Sequence, residues 1–273
     1  MKRTIGSALN GIPGKILRGL KDPRLILWWL RNILPYYLLI QPRFVWDFRK
    51  FKSLSRGEDR FSLDWRDFYP CLKERTESTG FDRHYVFHTA WAARILARTN
   101  PKCHTDISSA LYFVSIASAF IPMRFYEYRP TDLGLENLEC AQADLLSLPF
   151  GDNALESLSS MHVVEHIGLG RYGDTLDPQG DLKAIAELKR VLAVGGHLLF
   201  VVPIGFRPRI MFNAHRIYTY DQILSYFSDL ELMQFALIPD SSTIGGLVLN
   251  ADKDLADRQI YGCGCFWFRK LEI

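Results

Sequence analysis

Within five consecutive residues, HVVEH, the chain places His162, Glu165 and His166. Two imidazoles and a carboxylate can move protons near neutral pH, because histidine titrates at about 6.5 and a carboxylate can orient the ring or act as the base itself. The same letters spell the H-x-x-E-H order of a zinc peptidase helix. That chemistry needs the side chains on one helix, and the next residues, IGLGRYG, carry glycines that oppose helix continuation. The string is therefore expected to end a strand and enter a loop, with His166 and Glu165 as candidate catalytic residues and His162 on the substrate side. Beyond it, Arg171, Tyr172, Asp174 and Asp177 either orient a polar acceptor or close the loop through an internal Arg–Asp pair, and the residues fit both equally. The later stretch FRPRIMFNAHRIYTYDQI adds Arg207, Arg209, Asn213, His215 and Arg216, which suit an anionic or sugar-containing acceptor.

Three acids precede this string in a regular order. Asp106 lies in a candidate strand, Lys102–Ile107, and Glu127 in the next, Met123–Tyr128. A strand-end acid about twenty residues after the first can accept both ribose hydroxyls in nucleotide-binding α/β folds. Asp144 follows a third candidate strand, Leu138–Ala143. Ser108 and Ser109 stand where the chain turns from the first strand into a helix, as candidate caps and hydroxyl donors to a carboxylate.

These residues need a scaffold, and its pieces are visible. Asp181 is placed to cap a helix whose apolar positions are Leu182, Ile185, Leu188, Val191 and Leu192, with Lys189 and Arg190 at its negative end. Gly195 and Gly196 predict a left-handed stop, and Leu198–Val202 a buried strand. A weaker strand, Leu155–Val163, precedes this helix. Asp82 predicts the start of an amphipathic helix with Val86, Phe87, Ala90, Trp91 and Ile95 inward. Thr219 and Gln222 form a capping box for a helix at 220–227, and Leu230–Ile238 with Gly262–Lys270 read as the closing strands.

In this order the segments AD...LPFGDN, VVEH and RVLAVGGHLLFVVP resemble the middle of a class I S-adenosyl-L-methionine (SAM) dependent methyltransferase, closest to the type 11 small-molecule group. HVVEHIGLGRYGD resembles an uncharacterised bacterial branch of that superfamily, and the likeness runs from about Pro101 to the C-terminus. The resemblance implies an α/β fold: a Rossmann-like, seven-stranded, mostly parallel sheet with helices on both faces, a closing antiparallel hairpin and an N-terminal helical extension. It implies SAM as cofactor, with Asp106, Ser108 and Ser109 at the methionine end, Glu127 on the ribose and Asp144 near adenine. The implied reaction is methyl transfer to a small-molecule or glycan-like acceptor held by His162, Arg171, Tyr172, Asn213, His215 and Arg216, in bacterial surface-polysaccharide synthesis. The family's D-x-G-x-G pattern reads Asp106-Ile107-Ser108-Ser109-Ala110 here, without either glycine. The alternative is therefore a non-catalytic methyltransferase-like scaffold, for interaction or membrane association, that has lost SAM binding.

With 273 residues, 48% hydrophobic and 13% aromatic, the chain can bury a sizeable core and is not a disordered one. Residues 1–80 are expected to form a basic, aromatic helical extension and linker, and 81–273 the methyltransferase-like domain. The net charge of +3 is uneven: Met1–Lys50 holds ten Lys and Arg against Asp22 and Asp47. The remainder is acidic, so nucleic acid is not an expected partner. Leu25–Ile40 is interrupted by Arg31, Asn32 and Pro35 and falls short of the roughly 20 apolar residues of a spanning helix. Its tryptophans and tyrosines, flanked by Lys15, Arg18, Lys21, Arg24 and Arg43, either lie on an anionic membrane surface or pack as an accessory layer. Lys2 and Arg3 lead into TIGSALNGIPG, not a signal-peptide core, and five scattered cysteines suit a reducing compartment. A cytoplasmic protein, peripheral on the inner membrane face, is the expectation. No metal is expected: Cys263 and Cys265 read as one strand face, and His84 and His88, one helical turn apart, as packing residues.

Overall fold

Strand β5 (Leu192–Ile204) alternates its side chains between two cores. Leu198, Phe200, Val202 and Ile204 enter one, and Leu199 and Val201 enter the other. Both faces must therefore be covered, which explains the continuous apolar run in the sequence. The computed structural model describes residues 34–272 except 59, 68, 70, 73 and 130. The chain divides into a unit ending at Gly80 and a second unit, Phe81–Ile273. Described residues of the first form helix α1 (Leu34–Leu54) and a short 3-10 turn, Trp65–Asp67. Most of the basic segment Lys15–Arg43, the expected membrane contact, lies outside the described residues. Among the described residues no helix is long and apolar enough to cross a membrane.

The second unit is a Rossmann-like α/β domain. Its parallel strands are β1 (His104–Ile107), β2 (Met123–Glu127), β3 (Leu138–Gln142), β4 (Leu155–Met161) and β5, in spatial order β3-β2-β1-β4-β5. Past β5 the sheet continues with β10 (Gly262–Lys270), β8 (Leu230–Ile238) and β9 (Val248–Leu249). β10 is antiparallel to both β5 and β8, which closes the sheet as expected. The two-residue β9 makes eight strands where seven were expected. A separate hairpin, β6 (Arg209–Met211) with β7 (His215–Ile217), occupies the connection after β5.

Helices α2 (Arg83–Thr99) and α3 (Leu111–Ala117) supply one core, and α4 (Gly180–Val191) and α5 (Tyr220–Tyr226) the other. A four-residue helix α6 (Lys253–Ala256) lies in the last connection. Asp82 caps α2 by accepting the Tyr85 N–H at 3.2 Å, and the Thr219–Gln222 capping box is present on α5. The buried face of α2 is rotated from the expected one: His88, Trp91, Ala92, Ile95 and Leu96 are inside, whereas Val86 is exposed.

Asp181 does not cap α4. It sits inside the first turn, buried, where the Tyr218 hydroxyl donates to it at 3.0 Å and Arg216 lies at 3.5 Å. Gly195 and Gly196 do not stop the helix either, since α4 ends at Val191 and Leu192 is already extended. The glycines lie within β5, beside a register shift between Leu155 and Ser157 of β4. A Cβ on Gly196 would stand 2.8 Å from the Ala193 carbonyl oxygen and 3.0 Å from that of Leu155, so the close strand approach requires glycine.

A buried polar chain joins β1 to β4. Ser157 Oγ lies 2.7 Å from His104 Nδ1, His104 Nε2 lies 2.8 Å from Ser159 Oγ, and Ser159 Oγ bonds Asp106. One proton arrangement satisfies every atom: Ser157 donates to Nδ1, the Nε2–H donates to Ser159, and Ser159 donates to the carboxylate. Burial pushes His104 down from 6.5 to about 3, which keeps it neutral, and pushes Asp106 up from 3.8 to about 6 despite its hydrogen bonds. The unfolded chain then binds the His104 proton more tightly, so this histidine removes stability as pH falls below about 6.5 toward 3. Asp106 acts in the opposite sense between about 3.8 and 6, where the folded state holds the extra proton. His104→Asn should therefore lose less stability than the native chain when urea midpoints are compared at pH 7 and pH 4. Equal losses would show that His104 is not titrating as a buried neutral ring.

Candidate functional site

At the carboxyl end of β4 the chain leaves the sheet through His162, which has φ +57°, and makes a 3-10 turn, Val164–His166. The turn swings Glu165 back under His162. Glu165 is 1% exposed, and its Oε1 accepts the His162 Nδ1–H at 2.8 Å. Burial raises the Glu165 pKa, but the His162 hydrogen bond and the nearby His162 and His166 rings outweigh it and hold the carboxyl below its ordinary value. The other oxygen, Oε2, is buried without a partner.

His166 stands on the opposite side of this carboxylate, its Nε2 3.8 Å from Glu165 Oε1. Its Nδ1–H donates to the Ala214 carbonyl at 2.6 Å, which leaves Nε2 as the lone-pair nitrogen. Both residues line a cavity of about 510 Å³ together with His84, Tyr85, Arg171, Tyr172, His215 and Tyr261. The cavity lies at the strand ends where ligands bind in open α/β sheets. Its walls are mostly neutral and aromatic. Burial pushes His84 down to about 4 and Tyr85 up to about 12, and it lowers His215. His215 stacks on Tyr261 at 5.2 Å.

The loop from Gly168 to Gly180 is held by Asp174, not by an Arg–Asp pair. Asp174 accepts the N–H groups of Gly168 (2.7 Å), Gly170 (3.3 Å) and Tyr172 (3.2 Å). Burial pushes this carboxyl up, and the three amides bring it below its ordinary value. Arg171 instead donates to the Ala214 carbonyl at 3.1 Å and lies over the Tyr172 ring, which Arg129 also covers. Asp177 pairs with Lys183 at 2.7 Å.

Other expected site residues are placed differently. Arg216 is buried, and its guanidinium is spent on Asp181 and on the carbonyls of Ile167, Asp177 and Pro178, so it braces the loop and does not face the cavity. Asn213 is exposed and does not line the cavity. Arg209 donates to the Ile260 carbonyl and Arg207 lies over Phe206. Asp106 is fully buried in the His104 network, and Ser109 is 5% exposed, with its N–H given to Asp106 and its hydroxyl accepting the Met161 N–H. Neither is free to touch a ligand. Neither serine caps α3, whose N-cap is Ala110 without a side-chain bond. Ser108 does take φ +59°, the conformation a glycine would supply.

Glu127 and Asp144 reach the same sheet edge. β1 and β2 pair through Ile107 and Tyr126, Glu127 pairs with Gln142 of β3, and the Ala143 N–H returns to the Glu127 carbonyl at 3.2 Å. The Glu127 carboxylate accepts the Arg129 N–H at 3.3 Å, and Asp144 accepts the Leu146 N–H at 2.9 Å, which leaves acceptor capacity on both. His84, Tyr85, Tyr261 and Cys263 were not anticipated at the site. The His84–His88 spacing and the Cys263–Cys265 alternation were the available signals, and neither reveals that α2 and β10 converge on β4.

The fold and the cavity define a Rossmann-like α/β domain with its ligand crevice at the carboxyl ends of the strands. In sequence, residues 150–236 match the family described as Caenorhabditis protein of unknown function, DUF268. No curated protein matches the chain. Among solved structures it is similar to NodS, an N-methyltransferase of Bradyrhizobium japonicum in complex with S-adenosyl-L-homocysteine, at 16% identity, over 81% of this chain and 98% of that one, with a TM-score of 0.46. The 1,6-didemethyltoxoflavin-N1-methyltransferase of Burkholderia thailandensis is 10% identical over 68% of this chain and 79% of that one, with a TM-score of 0.48. The YcgJ protein of Bacillus subtilis is 16% identical over 68% and 99%, with a TM-score of 0.46.

Two of the loop's glycines separate conformational from steric cost. Gly173 (φ +87°) has open space around it, whereas a Cβ on Gly168 (φ +78°) would overlap the Asp177 carbonyl oxygen. Gly173→Ala should cost about 1–2 kcal/mol for the left-handed backbone alone. Gly168→Ala should lower the urea midpoint by at least twice as much; equal shifts would mean that the loop yields at no cost.

Proposed function

We propose that the protein is a SAM-dependent methyltransferase acting on a small-molecule or glycan-like acceptor. One observation carries this reading: Glu127 and Asp144, with acceptor capacity to spare, share the strand-end edge with the left-handed Ser108 turn, and a cavity lined by His166 and Glu165 opens at the end of neighbouring β4. The residues fit the cofactor at its nucleoside end, where Glu127 would hold the ribose hydroxyls and Asp144 would face adenine. Ser108 keeps the backbone shape that a glycine usually provides, so the chain can turn closely around the methionine end. Bound SAM supplies an electrophilic methyl on a sulfonium. Tyr172 and His215 would hold the acceptor, with the His162 ring as part of the cavity wall. His166, with its Nε2 lone pair facing the cavity side of Glu165, would take the acceptor's proton, and the anionic Glu165 would stabilise the resulting imidazolium. Most of the acceleration would come from holding the reactants in line.

One observation favours the non-catalytic alternative. Asp106 and Ser109 are consumed inside the fold, which leaves fewer groups for the methionine carboxylate and amine than the D-x-G-x-G pattern offers. Calorimetry with SAM and S-adenosylhomocysteine decides between them, since a scaffold would bind neither. On the enzyme reading, Glu127→Ala should weaken SAM binding by about 10-fold or more, as for loss of a charged hydrogen-bond acceptor. His166→Ala should leave SAM affinity unchanged and suppress turnover by about 100-fold, the low end of general-base contributions. Unchanged affinity in the first variant removes Glu127 from the pocket. Unchanged turnover in the second removes His166 from the chemistry.

The proposal extends to a cytoplasmic location, peripheral on an anionic membrane face through Lys15–Arg43, where each basic side chain near the lipid adds about 1 kcal/mol. Deleting residues 1–50 should abolish sedimentation with phosphatidylserine vesicles, and full retention would refute the attachment. A place in surface-polysaccharide synthesis accords with a glycan-like acceptor at a membrane.

A further inference from the structure

We propose that His84, His162 and Cys263 form a site for one divalent transition metal ion of the zinc class, contrary to the expectation from sequence. The three side chains come from α2, the end of β4 and the start of β10, and their ligand atoms lie within 4.8 Å of one another. Two of them already have metal-site spacing. His162 Nε2 stands 3.3 Å from Cys263 Sγ, close to the roughly 3.3–3.6 Å that separates two ligands of one tetrahedral zinc. His84 is the partly exposed member and stacks parallel to His162, with ring centroids 5.6 Å apart and an interplanar angle of 9°. Bringing the ligand atoms from within 4.8 Å to the roughly 3.3–3.6 Å of one tetrahedral ion, with a turn of the His84 ring to aim its lone pair, would complete the set.

The surroundings of His162 have the form of a metal ligand's support. Glu165 accepts its Nδ1–H at 2.8 Å, which fixes the tautomer and leaves the Nε2 lone pair facing the sulfur. A carboxylate behind a ligating histidine orients the ring and makes it a better donor. The left-handed backbone at His162 keeps the ring in this position at a conformational cost. Two imidazoles and a sulfur favour zinc, cobalt or copper over magnesium or calcium.

Charge also balances. On binding, the Cys263 thiol ionises and its proton leaves to solvent, so a dication meets one thiolate and the buried Glu165 carboxylate, and the centre is neutral. Three protein ligands leave a fourth position open, the arrangement of a reactive rather than a purely structural zinc. His84 and His162 both line the cavity, so that position would face the acceptor side. The Cys263–His162–Glu165 order also resembles a nucleophile, base and orienting acid, but Cys263 is fully buried and does not line the cavity. No substrate carbon reaches the sulfur there.

The test uses the full chain, stripped with a chelator and titrated with cobalt(II) in the absence of SAM and acceptor, so its outcome does not depend on methyl transfer. One equivalent should bind, with a thiolate-to-cobalt charge-transfer band and the visible bands of a tetrahedral ion, and zinc should displace it. Cys263→Ser should remove the charge-transfer band, while Cys71→Ser, at an exposed cysteine, should keep it. His84→Ala, at the partly exposed ligand, should retain the native circular dichroism and weaken cobalt binding at least about 10-fold. A native chain without the band, a band that survives Cys263→Ser or is lost in Cys71→Ser, or unchanged affinity in His84→Ala would overturn the proposal.

Discussion

The site depends on one buried charge. Glu165 has almost no exposure, and a carboxylate removed from water is tolerated only when other groups take over its solvation. His162 does so directly, with its second nitrogen facing Cys263, while His166 stands 3.8 Å away with its ring tied to the Ala214 carbonyl. The anion thus sets the tautomer of His162 and the Ala214 carbonyl that of His166, and together these groups link three separate parts of the chain, the end of β4, the β6–β7 hairpin and the start of β10. The 3-10 turn at Val164–His166 and the left-handed His162 are the backbone shapes that bring the carboxylate under the rings.

Around this centre, most of the charged residues work on backbone. Asp174 gathers three amides of the glycine-rich loop, and Arg216 caps three carbonyls and reaches Asp181. A loop at a cavity mouth has no sheet or helix to satisfy its peptide groups, so side chains must do it. That explains why a segment rich in Asp, Arg and Gly contributes only Arg171 and Tyr172 to the cavity wall. Polar density in the sequence marks where the backbone lacks partners as well as where a ligand binds.

This division also explains what the sequence reveals. The main strands and helices and the Asp82 and Thr219 caps follow from local periodicity and capping chemistry, which depend on neighbouring residues, whereas the antiparallel closure is implied by the family resemblance alone. Glu165 and His166 are legible as a proton-handling pair because they adjoin a strand end. Asp106, Ser109 and Arg216 read as ligand groups because their types suit ligands, yet each is consumed by a partner at least 3 and mostly some 35 to 55 positions away. Gly196 follows the same pattern: a helix stop is a local explanation, while its actual constraint is the carbonyl of Leu155 across the strand gap and that of Ala193; Gly195 has open space and takes φ +75°. Cys263 and His162, 101 positions apart, become neighbours only when β10 inserts between β5 and β8. No spacing rule could have paired them.

The two sides of the crevice are built on different terms. On the β1 side the loop lacks glycine, yet Ser108 still adopts the left-handed conformation, at a cost of about 1–3 kcal/mol for a non-glycine residue. Its N–H and hydroxyl both reach the Tyr126 carbonyl, at 2.8 and 3.3 Å, so a hydrogen bond to the neighbouring strand helps to hold the turn. The shape is maintained by the sheet instead of by the residue's own freedom. On the β4 side His162 is left-handed as well, and there the hold comes from Glu165 and the surrounding rings. Both strained positions flank the strand ends, and in both the strain is fixed by partners outside the residue itself: the neighbouring strand for Ser108, and Glu165 with the α2 rings for His162. A ligand entering this crevice would meet walls whose conformation is already set, which spares it the cost of ordering them.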